Sequence, residues 1–95
     1  MVELAGFEAA FAALRLRFVA GLPARWQEIE RAPSVAARQE ALHRLAGAAG
    51  SYGFATLGDA ARRAEVSLAA GGETALAAAL VALKAALDAD CATLR

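Results

Sequence analysis

Residues 34–53 read SVAARQEALHRLAGAAGSYG, and the spacing of their apolar side chains indicates the fold class. These side chains recur at intervals of three, four and seven residues, as they do on one face of an α-helix. The members of this face are Val35, Leu42, Leu45, Ala49 and Tyr52. Ser34 is a residue type that caps helix N-termini, and Gly53 tolerates the positive φ that ends many helices. The stretch therefore predicts a helix over about residues 35–52.

Upstream, a stripe of large apolar residues follows the same helical spacing. Its members are Phe7, Phe11, Leu14, Phe18, Leu22, Trp26 and Ile29. The stripe keeps its phase through Pro23, which removes one backbone hydrogen bond and bends a helix without a full break. It predicts one helix over about residues 3–32 that is kinked near Pro23, with the bend close to Val19 and the aromatic stripe in the core.

Downstream, the sequence predicts two more helices joined by short turns. Thr56 and Asp59 have the spacing of a capping box, and a third helix follows to about Ala70, where Gly71-Gly72 ends it. Its inward residues are Leu57, Ala61, Ala64 and Leu68. A fourth helix over about residues 74–94 carries the stripe Leu76, Leu80, Leu83, Leu87 and Cys91. Because the connections are short, we predict an all-α, antiparallel up-and-down four-helix bundle.

The composition limits the function further. The 95 residues predict one domain over 1–95, and ten basic residues balance ten acidic ones, which argues against a nucleic-acid partner. One cysteine, Cys91, excludes an internal disulfide and a Cys-rich zinc site, and we expect it in the core. No segment has the length of a membrane span and no secretory signal is evident, so we expect a soluble, cytoplasmic protein without a metal site.

The one residue whose placement suggests chemistry is His43. At about 100° per residue it points roughly 140° away from the apolar face of its helix. Its neighbours on this outer face are small or uncharged, namely Ala36, Gln39, Ala46, Gly47 and Gly50. Each glycine inside a helix costs about 0.5–1 kcal/mol relative to alanine, so the bare surface suggests a use. The alternatives are an ordinary surface histidine and glycines that let two helices approach closely.

Residues 43–54 resemble the signature of the histidine phosphotransfer (HPt) domain family. In that family a histidine is followed by glycines four and ten residues later, a leucine at fourteen and often an acid near twenty-two. This chain matches with Gly47, Gly53, Leu57 and Glu65. The predicted first helix resembles that of the family as well, so the likeness covers essentially the whole chain.

The resemblance implies a phosphorelay carrier. His43 would accept a phosphoryl group from an aspartyl phosphate of a response-regulator receiver domain, or of a hybrid histidine kinase, and pass it on. Gln39, Ala46, Gly47 and Gly50 would surround the phosphoryl group and contact the partner. It implies a monomer with no cofactor of its own, with Mg²⁺ on the receiver only. Without a phosphate-binding loop or an ATP domain, the chain would be a phosphotransferase and not an autonomous kinase.

The chain departs from the family pattern at Ala46, where many members have a lysine that helps to neutralise the phosphoryl charge. Three arginines are candidates to replace that charge, but Arg44 points about 100° away from His43, and we expect it, Arg62 and Arg63 to be solvated surface residues. The departure keeps open a second hypothesis: a non-catalytic helical module that docks on a kinase or receiver domain without carrying phosphate.

Overall fold

A computed structural model gives the fold and describes residues 2–93, with side-chain surroundings from residue 6 onward. Over this range the chain forms α-helices joined by short turns. They are α1 (Val2–Ala20), α2 (Leu22–Glu30), α3 (Val35–Ser51), α4 (Ala55–Ala70) and α5 (Glu73–Thr93). Helices α2 to α5 pack in a closed ring in which α3 and α4, and α4 and α5, have the most extensive contacts. The predicted four-helix bundle is confirmed.

The predicted kink separates α1 from α2. The single residue Gly21 lies between the two helices, and its N–H still donates to the carbonyls of Arg17 and Phe18 at 3.2 and 3.1 Å. Pro23 has no N–H to donate to the carbonyl of Val19, four residues earlier. The thiol of Cys91 lies 4.0 Å from that carbonyl oxygen and is buried, as expected. The bend is therefore where the missing hydrogen bond predicts it.

The observed helix ends match some of the predicted capping residues. The Ser34 hydroxyl accepts a hydrogen bond from the Ala37 N–H at 3.1 Å, and Gly53 and Gly71 have φ near +80° after α3 and α4. The predicted capping box at Thr56 and Asp59 is wrong, because α4 already begins at Ala55 with Phe54 in the N-cap position. The Phe54 ring is buried against Phe18, with centroids 5.4 Å apart, and this packing sets the start of the helix.

The core joins the inward faces of all four bundle helices. Its fully buried large residues are Leu22, Ile29, Leu42, Leu45, Leu57, Leu83 and Leu87. Trp26, Leu76 and Leu80 are partly buried against this core. The end predicted for the fourth helix, Leu94, lies outside the described residues.

Two parts of the predicted apolar stripes are not buried. Phe7 is 67% exposed and Leu14 is 41% exposed, because α1 continues beyond the bundle. The described chain is 51 Å long, whereas the 21 residues of α5 span only about 31 Å. Val35 is 63% exposed, because it begins α3 at the level where α4 ends. The prediction that the aromatic stripe lies in the core is wrong for Phe7, and two members of the predicted apolar faces, Leu14 and Val35, are not buried either.

Candidate functional site

His43 lies on the outer face of α3, where its side chain is 76% exposed. Gly47 and Gly50 follow it on the same face and are exposed too. A β-carbon built on either glycine would meet no atom within 4 Å apart from the neighbouring residues and backbone of its own helix. Close approach of another helix is therefore not the reason for these two glycines. They leave a smooth, open surface next to the imidazole ring, as the sequence predicts.

The ring of His43 is held by a carboxylate from the next helix. Nδ1 of His43 lies 3.0 Å from Oε2 of Glu65, which projects from α4 and is only 24% exposed. The motif includes an acid at this spacing, but Glu65 was not among the predicted site residues. The sequence signal for its role is the separation of 22 residues. This separation lets the chain complete α3, turn, and return along α4 to the level of His43.

This contact decides which nitrogen can react. A carboxylate only accepts hydrogen bonds, so Nδ1 carries the proton and donates a hydrogen bond to Glu65. In the neutral imidazole the lone pair then resides on Nε2, on the exposed side of the ring. The same carboxylate is placed to stabilise a positive charge on the ring. His43 thus has the arrangement of an oriented nucleophile.

The other predicted site residues divide into two groups. Gln39 lies one turn before His43 and is half-buried, while Gly47 and Gly50 are exposed beside it. Ala46 is only 3% exposed, so the prediction that it lies on the outer face is wrong. Helix α4 covers it: a β-carbon on Gly58 would be 3.4 Å from the Ala46 carbonyl oxygen. Ala46 is a packing residue at the α3–α4 contact.

The three arginines near the site lie on two sides of the bundle, with Arg44 next to α2 and the other two along the groove between α4 and α5. Arg44 forms an ion pair with Glu28 of α2, so it faces away from α4 and from the Glu65 carboxylate. Arg63 lies on α4 beside Val66, where both line a shallow groove between α4 and α5. Arg62 lines the same groove and is exposed. The expectation of a surface position is confirmed for all three.

With this geometry in view, comparison with known proteins identifies the chain. A family model described as the Hpt domain matches residues 13–95. The chain belongs to the Hpt domain family. The family gives this domain a general role in histidine phosphotransfer within phosphorelay signalling, with receiver domains and histidine kinases as its partner classes. No curated protein and no solved structure matched the chain in the parallel comparisons.

Two further observations on this Hpt domain concern metal binding and membrane spanning. No group of three or more His, Cys, Asp or Glu side chains in the described part of the chain could hold a metal ion. Between residues 2 and 93, no helix combines the length and apolar character that crossing a membrane requires.

Proposed function

We propose that this Hpt domain is a phosphorelay carrier in which Nε2 of His43 accepts a phosphoryl group from the aspartyl phosphate of a receiver domain and donates it to another. The observation that carries the proposal is the pair of His43 and Glu65. An exposed ring whose Nδ1 is 3.0 Å from a carboxylate presents a free lone pair at Nε2. The family membership supports the same assignment.

The transfer needs no other reacting group from this chain. The Nε2 lone pair attacks the phosphorus atom, and the bond from phosphorus to the aspartate oxygen breaks. Its electron pair leaves with that oxygen as a carboxylate. The Nδ1 proton stays on the ring, which becomes a phosphorylated imidazolium whose N–H donates to Glu65. The reverse sequence returns the phosphoryl group to an aspartate.

Phosphoryl transfer depends mainly on positioning and charge stabilisation, and a docked partner can supply much of both. We propose that the Mg²⁺ ion is part of the receiver and that the receiver approaches over Gly47 and Gly50. There a β-carbon would meet no atom within 4 Å, so the surface leaves room for a partner's loops. One exposed histidine per chain is sufficient, and we propose a monomer in the cytoplasm.

The test is to incubate the protein with a panel of receiver domains phosphorylated by acetyl phosphate. Intact-mass measurement should show one added phosphoryl group that is lost in acid and retained in mild alkali. The variant His43→Gln should not acquire it. If the unaltered protein gains no phosphate from any receiver or histidine kinase offered, or if His43→Gln still gains it, the acceptor assignment is wrong.

Burial of Ala46 is the observation that favours the alternative, a docking module that carries no phosphate. Alanine supplies no cation at that position, and it is packed at the contact between α3 and α4. The module hypothesis predicts binding to a receiver domain in titration calorimetry with no mass change on either partner. The carrier hypothesis predicts both binding and transfer, so the two measurements on one pair of proteins separate them.

A further inference from the structure

The charges around His43 are unfavourable for a phosphorylated ring. A phosphoryl group adds about −1.5 to −2 charges near neutral pH. Glu65 places a carboxylate 3.0 Å from the ring, and Glu40 lies exposed one turn earlier on α3. Together these groups would concentrate negative charge on one small surface. A cation of this chain is therefore expected to approach the phosphoryl group.

The arginines of α3 are not available for this purpose. Arg44 pairs with Glu28 of α2. Arg38 donates from Nε to the carbonyl oxygen of Ile29 at 2.9 Å and from its terminal nitrogen to that of Glu30 at 3.2 Å. Both side chains are directed towards α2. A cation for His43 must come from the α4 side, where Glu65 already contacts the ring.

The register of the two helices shows which residue of α4 is closest. Glu65 contacts His43, while Gly58 packs against Ala46 and Gly50. The helices are antiparallel, so moving back along α4 corresponds to moving forward along α3. Arg62, three residues before Glu65, is therefore level with Ala46 and Gly47. That level is about 4.5 Å along the helix axis from His43, within reach of an arginine side chain.

The angular positions on α4 distinguish its two arginines. At about 100° per residue, Arg62 lies about 60° from Glu65 around the helix axis, on the side away from the buried residues Ala61 and Ala64. Arg63 lies about 160° from Glu65. Both side chains line the groove between α4 and α5, but only Arg62 is attached to the sector of α4 next to Glu65. Among residues 6–93, neither arginine belongs to an ion pair, so the guanidinium of Arg62 is free to turn towards α3.

We propose that Arg62 binds the phosphoryl oxygens on His43 and supplies the positive charge that Ala46 cannot. The inference rests on the proposed carrier function. A guanidinium can donate two parallel hydrogen bonds to a phosphoryl group, so one arginine on α4 both neutralises and orients it. Arg62 then acts on the side of the ring that faces α4, and the surface over Gly47 stays open for the partner.

The experiment compares Arg62→Gln with Arg62→Lys and with the matched control Arg63→Gln, which removes the same charge from the adjacent position. Each protein is phosphorylated with phosphoramidate, a small donor that needs no receiver, and the phosphohistidine is followed by ³¹P NMR across a pH titration. Transfer from a phosphorylated receiver domain to His43, and from phosphorylated His43 to an unphosphorylated receiver domain, is then timed. Thermal melts by circular dichroism verify that all four proteins are folded.

We expect Arg62→Gln to transfer the phosphoryl group about five- to tenfold more slowly than the unaltered protein. This decrease in rate is larger than the loss of an exposed ion pair would cause and smaller than the loss of a desolvated arginine at a phosphoryl transition state. Its phosphoryl group should also ionise at a higher pH, because a neighbouring cation favours the dianion. Arg62→Lys should restore part of both effects, and Arg63→Gln should change neither. Equal behaviour of Arg62→Gln and Arg63→Gln would overturn the assignment of Arg62. Failure of the unaltered protein to accept phosphate from either donor would instead overturn the carrier function on which it rests.

Discussion

Replacing Gly47 separates the stability of α3 from its proposed use as a docking surface. A β-carbon at this position would meet no atom within 4 Å apart from the neighbouring residues and backbone of α3. The φ of Gly47 is not positive, so a side chain there causes no backbone strain. Gly47→Ala should therefore stabilise the protein by about 0.5–1 kcal/mol, the usual gain inside a helix. In a domain of this size that gain raises Tm by about 2–8 °C.

The same substitution should slow phosphoryl transfer. Gly47 lies one turn after His43 on the same exposed face, so added atoms keep a docked partner away from Nε2. A displacement of about 1 Å can cost on the order of a hundredfold in rate. We expect Gly47→Ala to transfer several-fold more slowly and Gly47→Gln about a hundredfold more slowly, in quenched-flow measurements with one phosphorylated receiver.

Two control variants belong with the Gly47 series. Gly6→Ala adds a methyl group in similarly open space on α1, and Ala78→Gln adds bulk to an exposed position of α5. Both should transfer at the unaltered rate. A folded Gly47→Gln protein that transfers as fast as these controls would refute the idea that the glycine is kept to admit a partner.

Three further predictions concern single side chains. His43→Gln should abolish phosphate acceptance by mass measurement and shift the free energy of unfolding by less than about 0.5 kcal/mol, since the side chain is exposed; a larger shift would mean that the ring is part of the packing. Glu65→Ala should slow phosphorylation of His43 by phosphoramidate roughly tenfold, through loss of the Nδ1 contact, and an unchanged rate would remove Glu65 from the mechanism. Burial raises the pKa of Asp90, an effect that the charge of Arg15 partly offsets, so the folded protein loses stability as the pH rises through that raised pKa. Asp90→Asn should therefore melt at a higher temperature than the unaltered protein at pH 7. At a pH below the ordinary pKa range of an aspartate, the two proteins should melt at the same temperature. A lower melting temperature for Asp90→Asn at pH 7 would contradict the reasoning.

The fold was predictable from the sequence where periodicity alone decides it. The helical spacing of the apolar residues and the glycines at 53 and 71 predicted α3, α4 and α5 within a few residues of their observed ends. The same spacing failed for Phe7, because a stripe shows which side of a helix is apolar but not how far the neighbouring helices extend. The capping box predicted at Thr56 and Asp59 failed too, because α4 begins at Ala55 after the buried Phe54.

At the site, the sequence predicted the exposed histidine and its open surroundings, but not its contacts with α4. Ala46 is about 60° from His43 around α3, and Gly50 is about 20° from it. Such angles place both near the outer face, yet Ala46 is buried and Gly50 is exposed. The difference arises because α4 packs on the Ala46 side, and a single helix does not reveal the side on which its neighbour lies. For the same reason the contact of Glu65 required the structure.

In the proposed carrier, the groups that act on the phosphoryl group are separate from the surface that would receive a partner. The carboxylate that orients the His43 ring comes from α4, while Arg44 is drawn to the opposite side by Glu28 of α2. The sector of α3 that contains Gly47 and Gly50 adds no side chain beside the ring. If a partner approaches through that sector, the two glycines are useful because they add nothing beyond the backbone, which explains why the helix tolerates their cost in stability. A change on α4 should then alter the chemistry of transfer and leave the affinity for the partner nearly constant, whereas a larger residue at 47 or 50 should weaken binding and transfer together.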